Sequence, residues 1–485
     1  MDAKFTSKLH SRAKIIATIG PSSNSPLIVK KLIEAGATVF RFNLSHKQED
    51  ELINEVKVIR EVSDSLRVNT ATIADLPGPK IRVHGLADNL EIEKREKITI
   101  LKEAPKVDYK FLPTEKYILI NYPDIIYDIN VGEYVYIDDG LIKLKAIDKD
   151  ENYIICEALN TGVIKPNKGV NLPFTKLHIG YPVETDIKWL KLITSLDLCD
   201  YIALSFVRSS GDVERIREII KEGGRNIGIV SKIEKYEAIQ NLQNIIKSSD
   251  AIMVARGDLG IEAPIEEIPF LQKEIIRKCN IAGKPVITAT QMLESMVTSP
   301  TPTRAEVTDV ANAILDGTDA VMLSAETAAS VNPEIVVQTM QRIVQKSESK
   351  MDYKKLWNIL SETVQNDVSD AIAFSAARVA GDVNASCIVC LTSSGSTARR
   401  IAKYRPEIPI LALSSSKRVE NICELFWGVK PLEANLTNNV EESIEISKHI
   451  ILEKEYAKSG DKIVFTLGTP MGVSGTTNLV EVITI

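Results

Sequence analysis

Eight short apolar runs, separated by stretches with helical periodicity, constrain the fold of this chain more than any other feature. They are Lys14 to Ile19, Thr38 to Phe42, Thr70 to Ala74, Tyr201 to Phe206, Asn226 to Ile233, Ala251 to Ala255, Pro285 to Ala289 and Ala320 to Leu323. Runs this apolar, without alternation, fit strands covered on both faces, as in a parallel sheet wrapped by helices. Most of them stop at a polar or charged cluster. Eight strands with intervening helices over roughly 250 residues, once one interruption is set aside, match a (β/α)8 barrel of the TIM type, whose chemistry sits at the carboxyl ends of its strands.

At 485 residues the chain exceeds one hydrophobic core. The interruption has a different texture: alternating segments such as Tyr134-Val135-Tyr136-Ile137 and Tyr153-Ile154-Ile155-Cys156, with turns at Val131-Gly132 and Asp139-Gly140. It reads as a small all-β barrel inserted after the third strand, in a place where it can act as a lid. From about residue 351 a fresh pattern begins, with a helix from Val368 to Val379 and strands at Ser386 to Leu391, Ile408 to Leu413 and Lys462 to Leu467. That pattern predicts an open α/β domain. The expected division is therefore 1–82 and 177–350 for the barrel, 83–176 for the lid and 351–485 for the C-terminal domain.

Composition narrows the function. The 59 Lys and Arg against 65 Asp and Glu leave a net charge of −6, which speaks against nucleic acid or a polybasic membrane surface. No apolar stretch approaches the ~18 residues of a membrane span, and the N-terminal residues lack a signal-peptide core, so a cytoplasmic protein is expected. Six cysteines lie mostly in apolar runs, as reduced thiols do. Cys387 and Cys390 have C-x-x-C spacing inside a strand-like run without a second ligand pair, and the five histidines (His10, His46, His84, His178, His449) have no ligand spacing.

The strongest site signal is Lys232-Ile233-Glu234 at the end of one run and Arg256-Gly257-Asp258 at the end of the next. Two carboxylates and a lysine at one rim suit a hard divalent cation and an anionic substrate. Arg41, Asn43 and Ser45 close the second run, read either as a guanidinium that grips a phosphate with the Asn and Ser oxygens at the same mouth or as an ordinary strand end with a helix cap at Ser45. Asp75-Leu76-Pro77-Gly78-Pro79-Lys80-Ile81-Arg82 closes the third. Thr290 follows the seventh, read either as presenting a hydroxyl at the rim or as a plain N-cap, with a helix starting at Gln291-Met292. In the C-terminal domain Thr392-Ser393-Ser394-Gly395-Ser396-Thr397 joins a strand to a helix in the manner of a phosphate cradle. A second glycine-rich loop, Gly468 to Asn478, reads as a flap over the same ligand or as a plain mobile loop.

Six segments in order, Lys168 to Pro173, Ser231 to Glu234, Met253 to Gly260, Gly283 to Val286, Ala289 to Met296 and Pro302 to Glu306, make the chain resemble the pyruvate kinase family over essentially its whole length. The resemblance implies transfer of a phosphoryl group from phosphoenolpyruvate to ADP, giving ATP and pyruvate. It implies Mg²⁺ (or Mn²⁺) on Glu234 and Asp258, and Lys232 beside the moving phosphoryl group and the enolate. Arg41 would grip the phosphate, while Gly257, Asp258 and Thr290 would hold the carboxylate. Asn43, His46, Arg82 and Lys168 would serve the nucleotide side, with Arg82 also catalytic, and a water chain would reach Thr290 and Ser324 for the proton. It further implies a phosphorylated effector at Thr392 to Thr397 and a homotetramer, with a subunit contact near Thr303 to Leu315. Many members bind K⁺ through residues matching Asn43, Ser45, Asp75 and the backbone at Leu76, and carry glutamate where this chain has Lys80. The ammonium of Lys80 is expected to replace K⁺. The alternatives are an aldolase that uses phosphoenolpyruvate, which lacks the lid and the C-terminal domain, and a catalytically dead sensor, which would have lost Lys232, Glu234, Asp258 or Arg41.

Overall fold

The structure, a computed structural model, describes residues 11–104, 113–437, 439–470 and 475–485, with the side chain of His46 outside that description. His10 and residues 471–474 of the second glycine-rich loop lie outside the described residues.

The eight runs form eight strands: β1 (Lys14–Ile19), β2 (Ala37–Asn43), β3 (Ala71–Asp75), β4 (Tyr201–Leu204), β5 (Gly228–Ile233), β6 (Ala251–Ala255), β7 (Val286–Ala289) and β8 (Ala320–Leu323). They close into an all-parallel barrel in the order β1-β8-β7-β6-β5-β4-β3-β2. Their residues are almost entirely buried because helices cover the outside and the strands' own side chains fill the inside. The register places Asn43 opposite Asp75, Asp75 opposite Ala203, and Ala255 opposite Ala289, so the strand ends form one continuous rim.

The insert is a seven-stranded sheet beside a two-stranded one. The sheet runs, in spatial order, Val170–Asn171, Tyr134–Ile137, Ile142–Lys149, Tyr153–Ala158, Lys97–Leu101, Lys116–Ile120 and Val83–His84. Its two edges meet where the chain enters and leaves. Arg82 bridges Gly169; Val83 N–H donates to Lys168 O and Val170 N–H to Ile81 O, each at 2.9 Å. The ring of strands is thereby completed by the two linkers themselves.

The C-terminal sheet has five strands, β9 (Ile388–Leu391), β10 (Ile410–Ser414), β11 (Val429–Glu433), β12 (Lys462–Gly468) and β13 (Thr477–Thr484), in the order β11-β10-β9-β12-β13. The sequence pattern reveals three of them. β13 is antiparallel at the edge and half exposed, with residues alternating less cleanly than in the core strands. The domain seals the amino-terminal end of the barrel. Tyr201, buried inside the barrel, donates its hydroxyl to Ile422 O at 2.9 Å, and Lys14 Nζ donates to Val429 O at 2.7 Å. Arg405 reaches Asp319 at 2.7 Å and Asn280 and Gly317 O at 2.9 Å.

Among the described residues no helix is long and apolar enough to cross a membrane. All six cysteines are buried and unpaired; burial pushes the Cys387 thiol up to about 12, which leaves the C-x-x-C spacing as core packing.

Candidate active site

Three strand ends deliver the charged centre. Asp75 ends β3, is 2 % exposed, and takes Arg41 from β2 on Oδ2, through Nε and Nη2 at 2.7 Å each. Its other oxygen faces Lys232 Nζ at 3.4 Å, and Lys232 also donates to Ser205 Oγ at 2.7 Å and lies 3.2 Å from Glu234 Oε2. Burial works against the ammonium of Lys232, but the carboxylates of Asp75, Glu234 and Asp258 together hold its pKa above the ordinary lysine value. Asp75 is the converse: burial would raise it, and Lys232 and Arg41 keep it below the usual carboxylate range. Arg41 has a further partner, Thr18 Oγ1 at 3.1 Å, whose hydroxyl in turn donates to Leu323 O of β8.

Glu234 is the odd member. One oxygen accepts Phe206 N–H, while Oε2 is buried with no hydrogen-bond partner among the described residues. Burial pushes its carboxyl up to about 7, Lys232 opposing and Asp258 adding to the rise. The one close partner of Oε2 there is the Lys232 ammonium, an ion pair at 3.2 Å that is not a hydrogen bond, so the oxygen keeps room for a second cation. Asp258, exposed at the start of the helix Arg256–Glu262, supplies a second oxygen donor to the same region. The donor set therefore fits a hard divalent ion that keeps positions for substrate and water. No cluster of three or more His, Cys, Asp or Glu fit to hold a metal occurs among the described residues.

At the next rim position the structure departs from the N-cap reading. β7 stops at Ala289; Thr290 and Gln291 have φ of 69° and 53°, and no helix begins there. The Thr290 hydroxyl instead donates to Ala289 O at 2.6 Å and accepts Gly257 N–H at 2.8 Å. Arg256 explains the unusual backbone: its guanidinium donates to Ala289 O and Thr290 O while Asp309 accepts at 2.7 Å. Behind it the fully buried Glu326 accepts the N–H groups of Met292, Leu293 and Ser324. Ser324 thus follows β8 on a fixed backbone. Thr18, Ser205, Arg256 and Glu326 carry no role in the sequence reading; the only signals for them are a polar residue in an apolar strand and charges beside the rim motifs.

The third edge lies by Lys80. The cap of the short 3-10 turn Leu44–His46 is Asn43, whose Oδ1 accepts Ser45 N–H at 3.2 Å, and not Ser45. Lys80 Nζ lies 3.4 Å from Ser45 O, and Leu76 N–H donates to Ala203 O. Gly78 holds the turn: its φ is 63°, a Cβ there would meet Ser205 Cβ at 3.0 Å, and its N–H donates to the buried Asp186 at 3.0 Å. Burial and the nearby Arg82 guanidinium hold Lys80 below the usual lysine value, with Asp186 opposing. Arg82 is fixed through its backbone N–H to Asn121 Oδ1 at 2.7 Å. Lys168, on the lid's return linker, pairs with Asp138 of the lid at 2.9 Å, so it stands at the lid base and is not brought into the Lys232 cluster.

Far from the rim, a cavity of about 190 Å³ is lined by Thr392, Ser393, Ser396 and Thr397 together with Thr437 and Gly468. Gly395, at φ 79°, donates to Thr392 Oγ1 at 2.9 Å, and the helix Ser396–Lys403 starts at that point. The loop after β12 borders the same cavity through Gly475 and Thr476.

Two family profiles match the chain. Residues 10–337 match the pyruvate kinase barrel domain, and residues 370–483 match the pyruvate kinase alpha/beta domain. A pyruvate kinase of Staphylococcus aureus strain MRSA252 is 42 % identical over 475 residues, covering 97 % of this chain and 80 % of that protein. The pyruvate kinase of strain USA300 matches to the same extent. The crystal structure of a pyruvate kinase from Cryptosporidium parvum superposes with a TM-score of 0.92 at 35 % identity, covering 100 % of this chain and 98 % of that one.

Proposed function

The chain belongs to the pyruvate kinase family, and from that membership we propose that it transfers the phosphoryl group of phosphoenolpyruvate to ADP. The bond between phosphorus and the enol oxygen breaks, a bond to a terminal oxygen of ADP forms, and the enolate carbon takes a proton to become pyruvate. The observation that carries this reading is Lys232, a charged ammonium held among Asp75, Glu234 and Ser205 at the rim. Phosphoryl transfer asks the protein mainly for positioning and charge neutralisation, and Lys232 offers both to an oxygen that becomes anionic as the bond breaks.

Arg41 grips the phosphate, its orientation preset by Asp75 and Thr18. Gly257 N–H and the Thr290 hydroxyl, now bonded to one another, exchange that bond for the substrate carboxylate. Glu234 and Asp258 would hold Mg²⁺ or Mn²⁺, which when bound would supply positive charge to the anionic oxygens of the substrate. Thr290 and Ser324 follow neighbouring strands and serve a water chain that delivers the proton. Asn43, Arg82 and Lys168 serve the nucleotide, Lys168 from the lid, and His46 joins them on the family resemblance alone.

The same reading makes Lys80 the resident cation of the monovalent site formed by Asn43, Ser45, Asp75 and Leu76, so turnover needs no K⁺; the contact of Lys80 with Ser45 O supports it. It also makes the Thr392 to Thr397 cavity the place of a phosphorylated effector, and the working enzyme a cytoplasmic homotetramer. The deciding experiment couples phosphoenolpyruvate and ADP consumption to pyruvate formation. The wild-type chain turns over in the presence of Mg²⁺, and Lys232→Met, folded by circular dichroism, loses about 10²–10³-fold or more in kcat. Full turnover by that variant would refute the assignment.

A further inference from the structure

Glu262 ends the helix that Arg256, Gly257 and Asp258 begin, and its side chain is 1 % exposed. Its Oε1 accepts two donors: Lys235 Nζ at 2.5 Å and Asn171 Nδ2 at 3.2 Å. Lys235 is the residue after Glu234. It is buried too, with its ammonium 5.0 Å from the centre of the Phe206 ring, and Phe206 N–H is the donor to Glu234. Asn171 ends the short strand by which the lid returns to the barrel.

One carboxylate oxygen thus gathers three elements. The end of β5 brings Glu234, the helix after β6 brings Asp258, and the return linker brings the lid. Holding the first two together requires only a packed pair, which apolar side chains would serve as well as a buried ion pair. The third contact is different in kind. It comes from a separate domain, onto the oxygen that already neutralises Lys235, and it lies beside the bridge of Arg82 and Gly169 where the two linkers pair. Any swing of the lid about those linkers carries Asn171 with it.

We propose that Glu262 is a positioning residue that couples the lid to the two divalent-cation carboxylates, with Asn171 as the lid's side of the latch. Drawing Asp258 toward Glu234 around a cation fixes the helix that carries both Asp258 and Glu262, with Lys235 only neutralising the carboxylate, and a fixed Glu262 holds Asn171. By linkage the effect is reciprocal, and the lid's posture alters how firmly the cation is held. The lid's purpose rests on the phosphoryl-transfer reading; the latch itself does not.

Hydrogen exchange at the Val83 and Val170 amides, which pair the linkers, tests it in the full chain with Mn²⁺ alone and neither phosphoenolpyruvate nor ADP. In the wild-type chain Mn²⁺ slows both amides several-fold. In Asn171→Leu the metal-free exchange is about tenfold faster and the slowing by Mn²⁺ disappears. Lys235→Met destabilises the same buried spot yet keeps the Asn171 bond, so it retains the slowing by Mn²⁺. Exchange in Asn171→Leu at the wild-type rate, or identical behaviour of Asn171→Leu and Lys235→Met, overturns the proposal. Because no substrate is present, a chain that fails to make pyruvate can still show the latch, and an active one can lack it.

Discussion

The proposed replacement of K⁺ by Lys80 would place the ion requirement on one side chain. Unit charges a few ångströms apart in a poorly solvated cleft interact by roughly several kcal/mol, and Lys80 Nζ sits 3.4 Å from the backbone oxygen of Ser45, with Asp186 the carboxylate that acts on it. In tetramethylammonium salts the wild-type chain is expected to show no saturable activation by KCl, whereas Lys80→Glu shows activation of about tenfold or more. Asp186, which accepts Gly78 N–H below the same turn, gives a pH signature. Burial pushes its carboxyl up to about 6, chiefly by desolvation, against an ordinary value of 3.8. The folded chain therefore binds more protons than the unfolded one between those values, and stability is lost as pH rises through them. Asp186→Asn removes the loss. Its stability relative to wild type should rise by about 1 kcal/mol between pH 5 and pH 7.5, read from unfolding curves at the two pH values.

The loop after β7 is the element on which the geometry of the rim depends. Positive φ at Thr290, a β-branched residue, is costly, and Arg256 offsets that cost by binding Ala289 O and Thr290 O. Arg256→Met should release the loop and lower kcat by about 10–100-fold in steady-state assays, with a smaller change in thermal midpoint, since Asp309 is 35 % exposed and stays solvated. The barrel strands were legible because apolar runs of four to eight residues with polar ends are a direct consequence of two-sided burial. Lys232, Glu234 and Asp258 were legible because charges at strand ends serve no packing purpose. Thr290 misled for a physical reason: a threonine after a strand has the chemistry of an N-cap, and only the distant Arg256, Asp309 and Glu326 turn the backbone the other way. Asn43 outcompetes Ser45 as the cap because its side-chain oxygen reaches Ser45 N–H from two residues earlier. Strand β13 was missed because an exposed antiparallel edge needs no continuous apolar run.

Across the whole molecule, the barrel and the C-terminal domain share one body of buried side chains, from Ile16, Ile73 and Met253 inside the barrel to Ile401, Tyr404 and Phe426 beneath it. Arg405 is the polar bolt through that joint, its side chain 3 % exposed against Asp319 at 7 %. Arg405→Met strands a buried carboxylate and should cost about 3–5 kcal/mol in denaturant unfolding, with the rim chemistry unchanged when assayed below the transition.

The lid is joined quite differently. Its two linkers pair with each other at Arg82 and Gly169, so the chain departs from the barrel and comes back at nearly the same point. For the lineage of such proteins this makes the lid a module whose size the barrel does not register. Lengthening or trimming it alters little of the closure entropy at its base, and the strand order of the barrel does not depend on it. Selection can therefore revise what covers the reaction while leaving alone what performs it.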